Sequence, residues 1–276
     1  EKFKFSKYFI KNKFFVKSKL NFAKNLISKK DNSKAITFIS ETGYREVRSW
    51  NKLYKNTSNL INFFRENKIS EKDRVAAYMA NQIETVECFL ACSSIGAIWS
   101  SCSPDFGTPG VIERFSQIKP KILIITDRYY YNGKEINILE RLPLIIKKIK
   151  SIKTVIVVNY PGKKYLKHKN IKGIKIFNLN IIKKITQNKI EFKKFDFDHE
   201  LAILYSSGTT GKPKCICHRA GGVLLQHLKE HQLHCEVRPG DNVFYFTTCG
   251  WMMWNWLVTF LGSKASIVLF DGFPMY

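Results

Sequence analysis

Leu204-Tyr205-Ser206-Ser207-Gly208-Thr209-Thr210-Gly211-Lys212-Pro213-Lys214 places four hydroxyl side chains, two glycines and two lysines within residues 206–214. The apolar run Leu201-Ala202-Ile203-Leu204-Tyr205 leads into it, and Cys215-Ile216-Cys217-His218 leaves it as a second strand. A strand that ends in such a loop turns backbone N–H groups, hydroxyls and ammonium charge toward one concavity, because glycine permits φ > 0. That surface suits a polyphosphate. The ordinary P-loop sets its glycines wider apart and follows its lysine with a hydroxyl, whereas Gly208 and Gly211 are three apart and Pro213 follows Lys212. The plain alternative is a Ser/Thr/Gly-rich surface turn. The apolar strand ahead of the loop and the closing Pro213-Lys214 pair favour the ligand loop.

Working outward, the chain of 276 residues is long enough to bury a substantial core as one large domain or two smaller ones. Its apolar fraction of 45% is that of a globular protein. A formal charge of +24 would ordinarily direct attention to nucleic acid or an anionic membrane. The charge is confined, however: residues 1–30 hold ten lysines against Glu1, and residues 144–194 hold fifteen against Glu191. Neither stretch interleaves arginine with aromatic residues in a recognition motif, so both are expected to be solvated lysine faces. A basic nucleic-acid-binding module is the rival class. Seven cysteines, an odd number without a C-x-x-C pair, point to a reducing compartment and hence a cytoplasmic location. Cys215 and Cys217 are expected to point to opposite faces of their strand as small buried residues. No apolar run is long enough to span a membrane.

From Ser49 the residues Trp50, Leu53, Tyr54, Thr57, Leu60, Ile61 and Phe64 recur at helical spacing, with Ser49 as the cap. Residues 73–79 read as a strand and 83–95 as a helix whose Glu84 and Glu87 favour the N-terminal dipole. A short strand, a turn at Ser103-Pro104-Asp105, a helix around residues 111–115 and the strand Ile122–Thr126 follow. Strands are also expected at Thr154–Val158, 174–177, 243–248 and 265–270. The rhythm is that of βαβ units with a largely parallel sheet. Asp196, Asp198, His199 and Glu200 form an acidic cluster read as a charged loop ahead of a strand. Gly221-Gly222 opens a helix to about residue 234 that contains His227-Leu228-Lys229-Glu230-His231, a match to the inverted zinc-peptidase motif. A zinc site there would need a third ligand and supporting partners. Cys249-Gly250-Trp251 closes a strand, where a wide aromatic is well placed to wall a ligand crevice.

The 204–214 string resembles the phosphate-binding loop of the adenylate-forming enzymes, the superfamily of acyl-CoA synthetases, luciferases and peptide-synthetase adenylation domains. Gly96-Ala97-Ile98-Trp99-Ser100-Ser101-Cys102-Ser103-Pro104-Asp105-Phe106-Gly107 resembles the acetoacetyl-CoA synthetases in particular, where acetyl-CoA synthetases carry a glycine-rich run. The resemblance covers residues 21–274. It implies layered α/β subdomains with largely parallel sheets. Residues 1–276 would then be an incomplete N-terminal AMP-binding domain with a lysine-rich 1–30 segment, lacking the rest of the large domain and the small C-terminal domain. It implies a ligase that activates acetoacetate with ATP and Mg²⁺ as acyl-adenylate and transfers it to coenzyme A; another short-chain acid is the alternative substrate. In that reading Ser206, Ser207, Gly208, Thr209, Thr210, Gly211 and Lys214 hold the ATP phosphates, with Lys214 and Thr209 catalytic. Lys134 contacts coenzyme A, although Tyr131 stands where relatives carry a basic residue. Trp251 lines the acyl pocket, and Cys215 occupies the position of a frequent glycine. Neither nucleic acid nor membrane is an implied partner, and the fragment alone is not expected to complete the thioester-forming step.

Overall fold

The structure, a computed structural model, describes residues 3–182, 190–206 and 211–276. Two sheets organise it. The smaller contains β1 (Lys34–Ser40) and β2 (Arg45–Ser49). The larger begins with β3 (Arg74–Tyr78), β4 (Ile98–Cys102), β5 (Ile122–Thr126), β6 (Thr154–Val158) and β7 (Lys175–Asn178), and it ends with β8 (Glu200–Tyr205) and β9 (Cys215–Arg219). The chain then returns to the smaller sheet with β10 (Asn242–Phe244) and β11 (Ser266–Asp271). The large sheet runs in the order β7-β6-β5-β3-β4-β8-β9, and the small one β10-β11-β1-β2. All neighbours in the large sheet are parallel except β8 and β9, which form an antiparallel hairpin.

The parallel core follows from composition. β5 and β6 are uninterrupted runs of Ile, Leu, Val and Thr, buried at every position. Strands covered on both faces need such runs instead of alternation. The described helices are α1 (Phe22–Leu26), α2 (Trp50–Glu66), α3 (Ile83–Ser94), α4 (Thr108–Ile118), α5 (Leu142–Lys148), α6 (Leu179–Ile182), α7 (Ala220–Lys229) and α8 (Met252–Thr259). The seven-residue stripe of α2 is buried throughout, and Ser49 caps the helix by accepting from Lys52 N. α3 touches α2, β1 and β4, and so packs against both sheets. α4 stops where Lys119 turns left-handed at φ +47° ahead of Pro120, which cannot continue a helix.

Five expectations need correction. Cys215 and Cys217 are both exposed. Residues two apart in a strand share a face, and at the sheet's edge strand β9 both faces are open, since Ile216 between them is exposed as well. The strand expected at 243–248 ends at Phe244, because the chain leaves the sheet edge to bring the Thr247 carbonyl to Asn81 Nδ2 at 3.1 Å. The strands expected at 174–177 and 265–270 are each displaced by one residue, to Lys175–Asn178 and Ser266–Asp271. Glu87 does more than favour a dipole: it is buried and lies 3.2 Å from Arg48, which also pairs with Glu46 at 2.9 Å and Glu84 at 3.3 Å. A buried carboxylate is retained because a cation meets it.

Candidate active site

Ligands in open α/β sheets collect at the carboxyl ends of the strands, where the connections diverge. Here β3 leads through α3 to β4, and β4 leads back through α4 to β5 on the other side of β3. The carboxyl ends of β3, β4 and β8 therefore border the crevice, and Ser206 and Lys214 leave and rejoin the sheet at the last of them. The loop is pinned at both ends. Tyr205 pairs with Cys215 across the hairpin, and Ser206 N donates to the Lys214 carbonyl at 3.0 Å. From α4, Gln117 Nε2 donates to the Pro213 carbonyl at 3.0 Å.

Ser206 is half-buried, Pro213 is buried, and Gly211, Lys212 and Lys214 are exposed. Gly211 adopts φ +92°, a conformation that favours glycine. Ser207, Gly208, Thr209 and Thr210 lie outside the described residues. Lys212 also borders a groove of about 840 Å³ between α4 and α5, with Glu113, Ser116, Leu144 and Lys148. A larger recess of about 960 Å³, walled by Lys72, Glu200, Arg219 and the N-terminal segment, sits at the amino ends of the strands, the wrong end for this chemistry.

At the carboxyl ends of β3 and β4, the segment 247–251 is sewn onto the same edge. Ser101 Oγ donates to the Cys249 carbonyl, and Cys249 Sγ lies 2.9 Å from the Met79 carbonyl. Gly250 is needed for the close approach: a Cβ there would lie 2.9 Å from the Phe106 ring and 3.3 Å from Ser103 N. Trp251 follows as the N-terminal cap residue of α8 and is 55% exposed. Lys134 is also exposed, on a hairpin formed by Arg128–Tyr131 and Lys134–Asn137. That hairpin is tied to Glu41 through Asn132 N at 3.0 Å and Gly133 N at 2.9 Å, and the Tyr131 ring rests against Phe273.

Sequence reasoning missed the hub of this edge, Asn81. Its Nδ2 donates to the Thr247 and Phe270 carbonyls, both at 3.1 Å; its Oδ1 accepts from Trp254 Nε1 at 2.9 Å; and its backbone N donates to Asp271 Oδ1 at 2.8 Å. Asp271 Oδ2 accepts from the Tyr160 hydroxyl at 3.0 Å. Asp271 ends β11 and Asn81 follows β3, so the pair joins the two sheets. Burial raises the Asp271 carboxyl to about 6 against the pull of both donors. The one local signal was a polar residue just beyond the carboxyl end of a buried strand. Nearer the loop, Ser100 Oγ lies 2.9 Å from the Ile203 carbonyl and 3.0 Å from the Tyr205 hydroxyl, whose ionisation burial opposes.

His227 on α7 and His231 in the helical turn that follows it are packing groups. His227 Nδ1 lies 2.8 Å from Thr259 Oγ1, and His231 stacks on Phe260. Burial pushes both down to about 4, so both are neutral at pH 7. Among the described residues no group of three His, Cys, Asp or Glu side chains is arranged to hold a metal ion. No described helix is long and apolar enough to cross a membrane.

A mostly parallel sheet whose β8–β9 hairpin carries a hydroxyl- and lysine-rich sequence at its carboxyl edge has the architecture of the α/β domains that take ligands there. The chain belongs to the family of AMP-binding enzymes, which it matches over residues 27–276. It is similar to the acetoacetyl-coenzyme A synthetase of Rhizobium meliloti, 44% identical over 262 residues that cover 95% of this chain and 40% of that protein. It is also similar to the acetoacetyl-CoA synthetase of Gallus gallus, 43% identical over 270 residues with the same coverage of 95% and 40%. The solved structure of the acetoacetyl-CoA synthetase from Streptomyces lividans superposes with a TM-score of 0.88 at 33% identity, covering 95% of this chain and 40% of that one. The chain thus spans 40% of the length of these relatives.

Proposed function

We propose that this chain forms the ATP-binding part of an acid–thiol ligase that activates acetoacetate as acyl-adenylate and passes it to coenzyme A, releasing AMP and pyrophosphate. The observation that carries the reading is the 206–214 loop, pinned by its own hairpin and by Gln117 at the carboxyl edge of the sheet, in a chain that matches the AMP-binding family. In the first half-reaction a carboxylate oxygen bonds to the α-phosphorus and pyrophosphate leaves. The nucleophile is the substrate itself, so the protein's work is to align two anions and to offset the charge that grows on the phosphates. Ser206, Ser207, Thr209, Thr210 and Lys214 are assigned to that work, with Gly208 and Gly211 opening the backbone to the ligand. ATP reacts as its magnesium complex, so Mg²⁺ enters with the substrate.

Trp251, exposed at the start of α8 and held to the crevice through Gly250, is assigned to the acyl pocket. Lys134 is assigned to the nucleotide end of coenzyme A, which its exposed position allows. Residues 27–276 are assigned to the AMP-binding domain, and the thioester-forming half-reaction is assigned to the complete enzyme, whose relatives are longer than this chain. All seven cysteines are unpaired, which suits a reducing, cytoplasmic location. The test is pyrophosphate release by the complete gene product supplied with acetate, propionate, butyrate or acetoacetate. The reading expects acetoacetate to give the highest kcat/KM. Preference for one of the simple acids would move the assignment to another short-chain acyl-CoA synthetase, and release that no acid stimulates would refute the ligase.

A further inference from the structure

Helix α4 meets the loop with two residues one turn apart. Gln117 holds the end of the loop at Pro213, and Arg114 reaches its start. The Arg114 guanidinium carbon lies 4.3 Å from the Phe106 ring centroid and 5.9 Å from that of Tyr205, the residue from which the loop departs. One nitrogen, Nη1, donates to the Gly110 carbonyl at 3.0 Å. Gly110 leaves room for it, since a Cβ at that position would come within 3.3 Å of Nη1. The side chain is half-buried, and among the described residues no carboxylate pairs with it.

A guanidinium has five N–H donors in a planar fork. Among the described residues one of its nitrogens is engaged, two aromatic faces orient the plane, and no counter-charge is supplied. By contrast, Arg48 and Arg128, the more deeply buried arginines, are each matched by carboxylates. A cation drawn partly out of water beside Tyr205, where the loop departs, is completed by an anion brought from outside, and phosphate oxygens fit the fork with two parallel bonds. We propose that Arg114 is a phosphate-binding residue of this site, pairing with a phosphate group of a bound nucleotide at the start of the 206–214 loop. The proposal rests on the ligase reading above. The phosphate belongs either to ATP and the adenylate or to the diphosphate of coenzyme A, and the experiment separates the two.

The complete enzyme is compared with its Arg114→Gln and Arg114→Lys variants for the KM of ATP, coenzyme A and the acid, alongside thermal melts and calorimetric titration with ATP. Loss of a charge-assisted contact predicts a KM about ten- to hundredfold higher for one phosphate-bearing ligand in Arg114→Gln. The KM of the acid should stay unchanged, and Arg114→Lys should recover part of the loss. A rise confined to ATP identifies the ATP phosphate, and a rise confined to coenzyme A identifies its diphosphate. If both KM values stay within about twofold of wild type while the melting temperature falls, Arg114 merely packs on its rings and the proposal is overturned. Should Arg114→Gln fail to fold, Arg114→Lys decides, because an ammonium cannot reproduce the two-bond fork; unchanged KM values there overturn the proposal too. Wild-type enzyme without acid-dependent turnover would refute the ligase reading alone. Arg114 would then stand or fall on the calorimetric affinity for ATP, weakened in Arg114→Gln or not.

Discussion

Replacing Asp271 by Asn should change how stability responds to pH. The Asp271 carboxyl is buried between the two sheets and accepts hydrogen bonds from Asn81 N and the Tyr160 hydroxyl. Burial, helped by the carboxylates of Asp105 and Glu41, lifts it from 3.8 to about 6. Between these values the folded chain keeps a proton that the unfolded chain has released. Stability from this group is therefore present in full below pH 4 and falls as pH rises through 6. The gap is worth about 3 kcal/mol. An amide cannot ionise, yet its oxygen can still accept from Asn81 N and its NH₂ can donate to the Tyr160 oxygen, so the latch survives without the penalty. His227 and His231, depressed to about 4, give stability that is present above pH 6.5 and lost as pH falls through 4. That opposite slope is common to both proteins and cancels in their difference. Urea denaturation of wild type and Asp271→Asn across pH 4 to 7 should show the difference in unfolding free energy shifting toward the variant by about 3 kcal/mol as pH rises. Parallel profiles would refute the argument that burial dominates this carboxyl.

Three further outcomes follow from named contacts. Asn81→Ala leaves the Thr247 and Phe270 carbonyls and the Trp254 indole N–H without their partner, which should cost roughly 3–5 kcal/mol in urea denaturation; a loss under about 1 kcal/mol would show that water replaces the side chain. Gly250→Ala presses a methyl against Phe106 and Ser103 N and should cost about 1–3 kcal/mol while raising the KM of the acid more than that of ATP; equal effects on both would count against its place beside the acyl pocket. In the complete enzyme Lys214→Ala should slow pyrophosphate release roughly a hundredfold with little change in melting temperature, because Lys214 is exposed; an unaltered rate would remove it from the site.

The parts of the fold visible in the residues were those set by local period. The α2 stripe, the all-apolar β5 and β6 and the strands on either side of the loop appear close to where the residues place them, because burial marks each turn of α2 and every position of strands covered on both faces. The errors share a cause in neighbours that no local window contains. Cys215 and Cys217 are exposed because β9 is an edge, and being an edge depends on what does not pair with it. Residues 245–248 leave the strand for Asn81, and Glu87 answers an arginine from another strand. The Asn81–Asp271 latch spans 190 residues of chain and has no counterpart in periodicity. At the candidate site the hydroxyls, glycines and lysines of the loop stand out in the sequence because their chemistry is local, and the structure places the described flanks of that loop, Ser206 and residues 211–214, between β8 and β9. Arg114 was not, since its meaning arises only when α4 carries it to Tyr205.

The claim on which the account depends is that the 206–214 loop receives the triphosphate of ATP. Crystals of the complete protein grown with a non-hydrolysable ATP analogue and Mg²⁺ would test it directly. The account predicts phosphate oxygens within hydrogen-bonding distance of loop amides and hydroxyls and of the Lys214 ammonium group. A triphosphate bound at the amino ends of the strands, or anywhere out of reach of that loop, would contradict it.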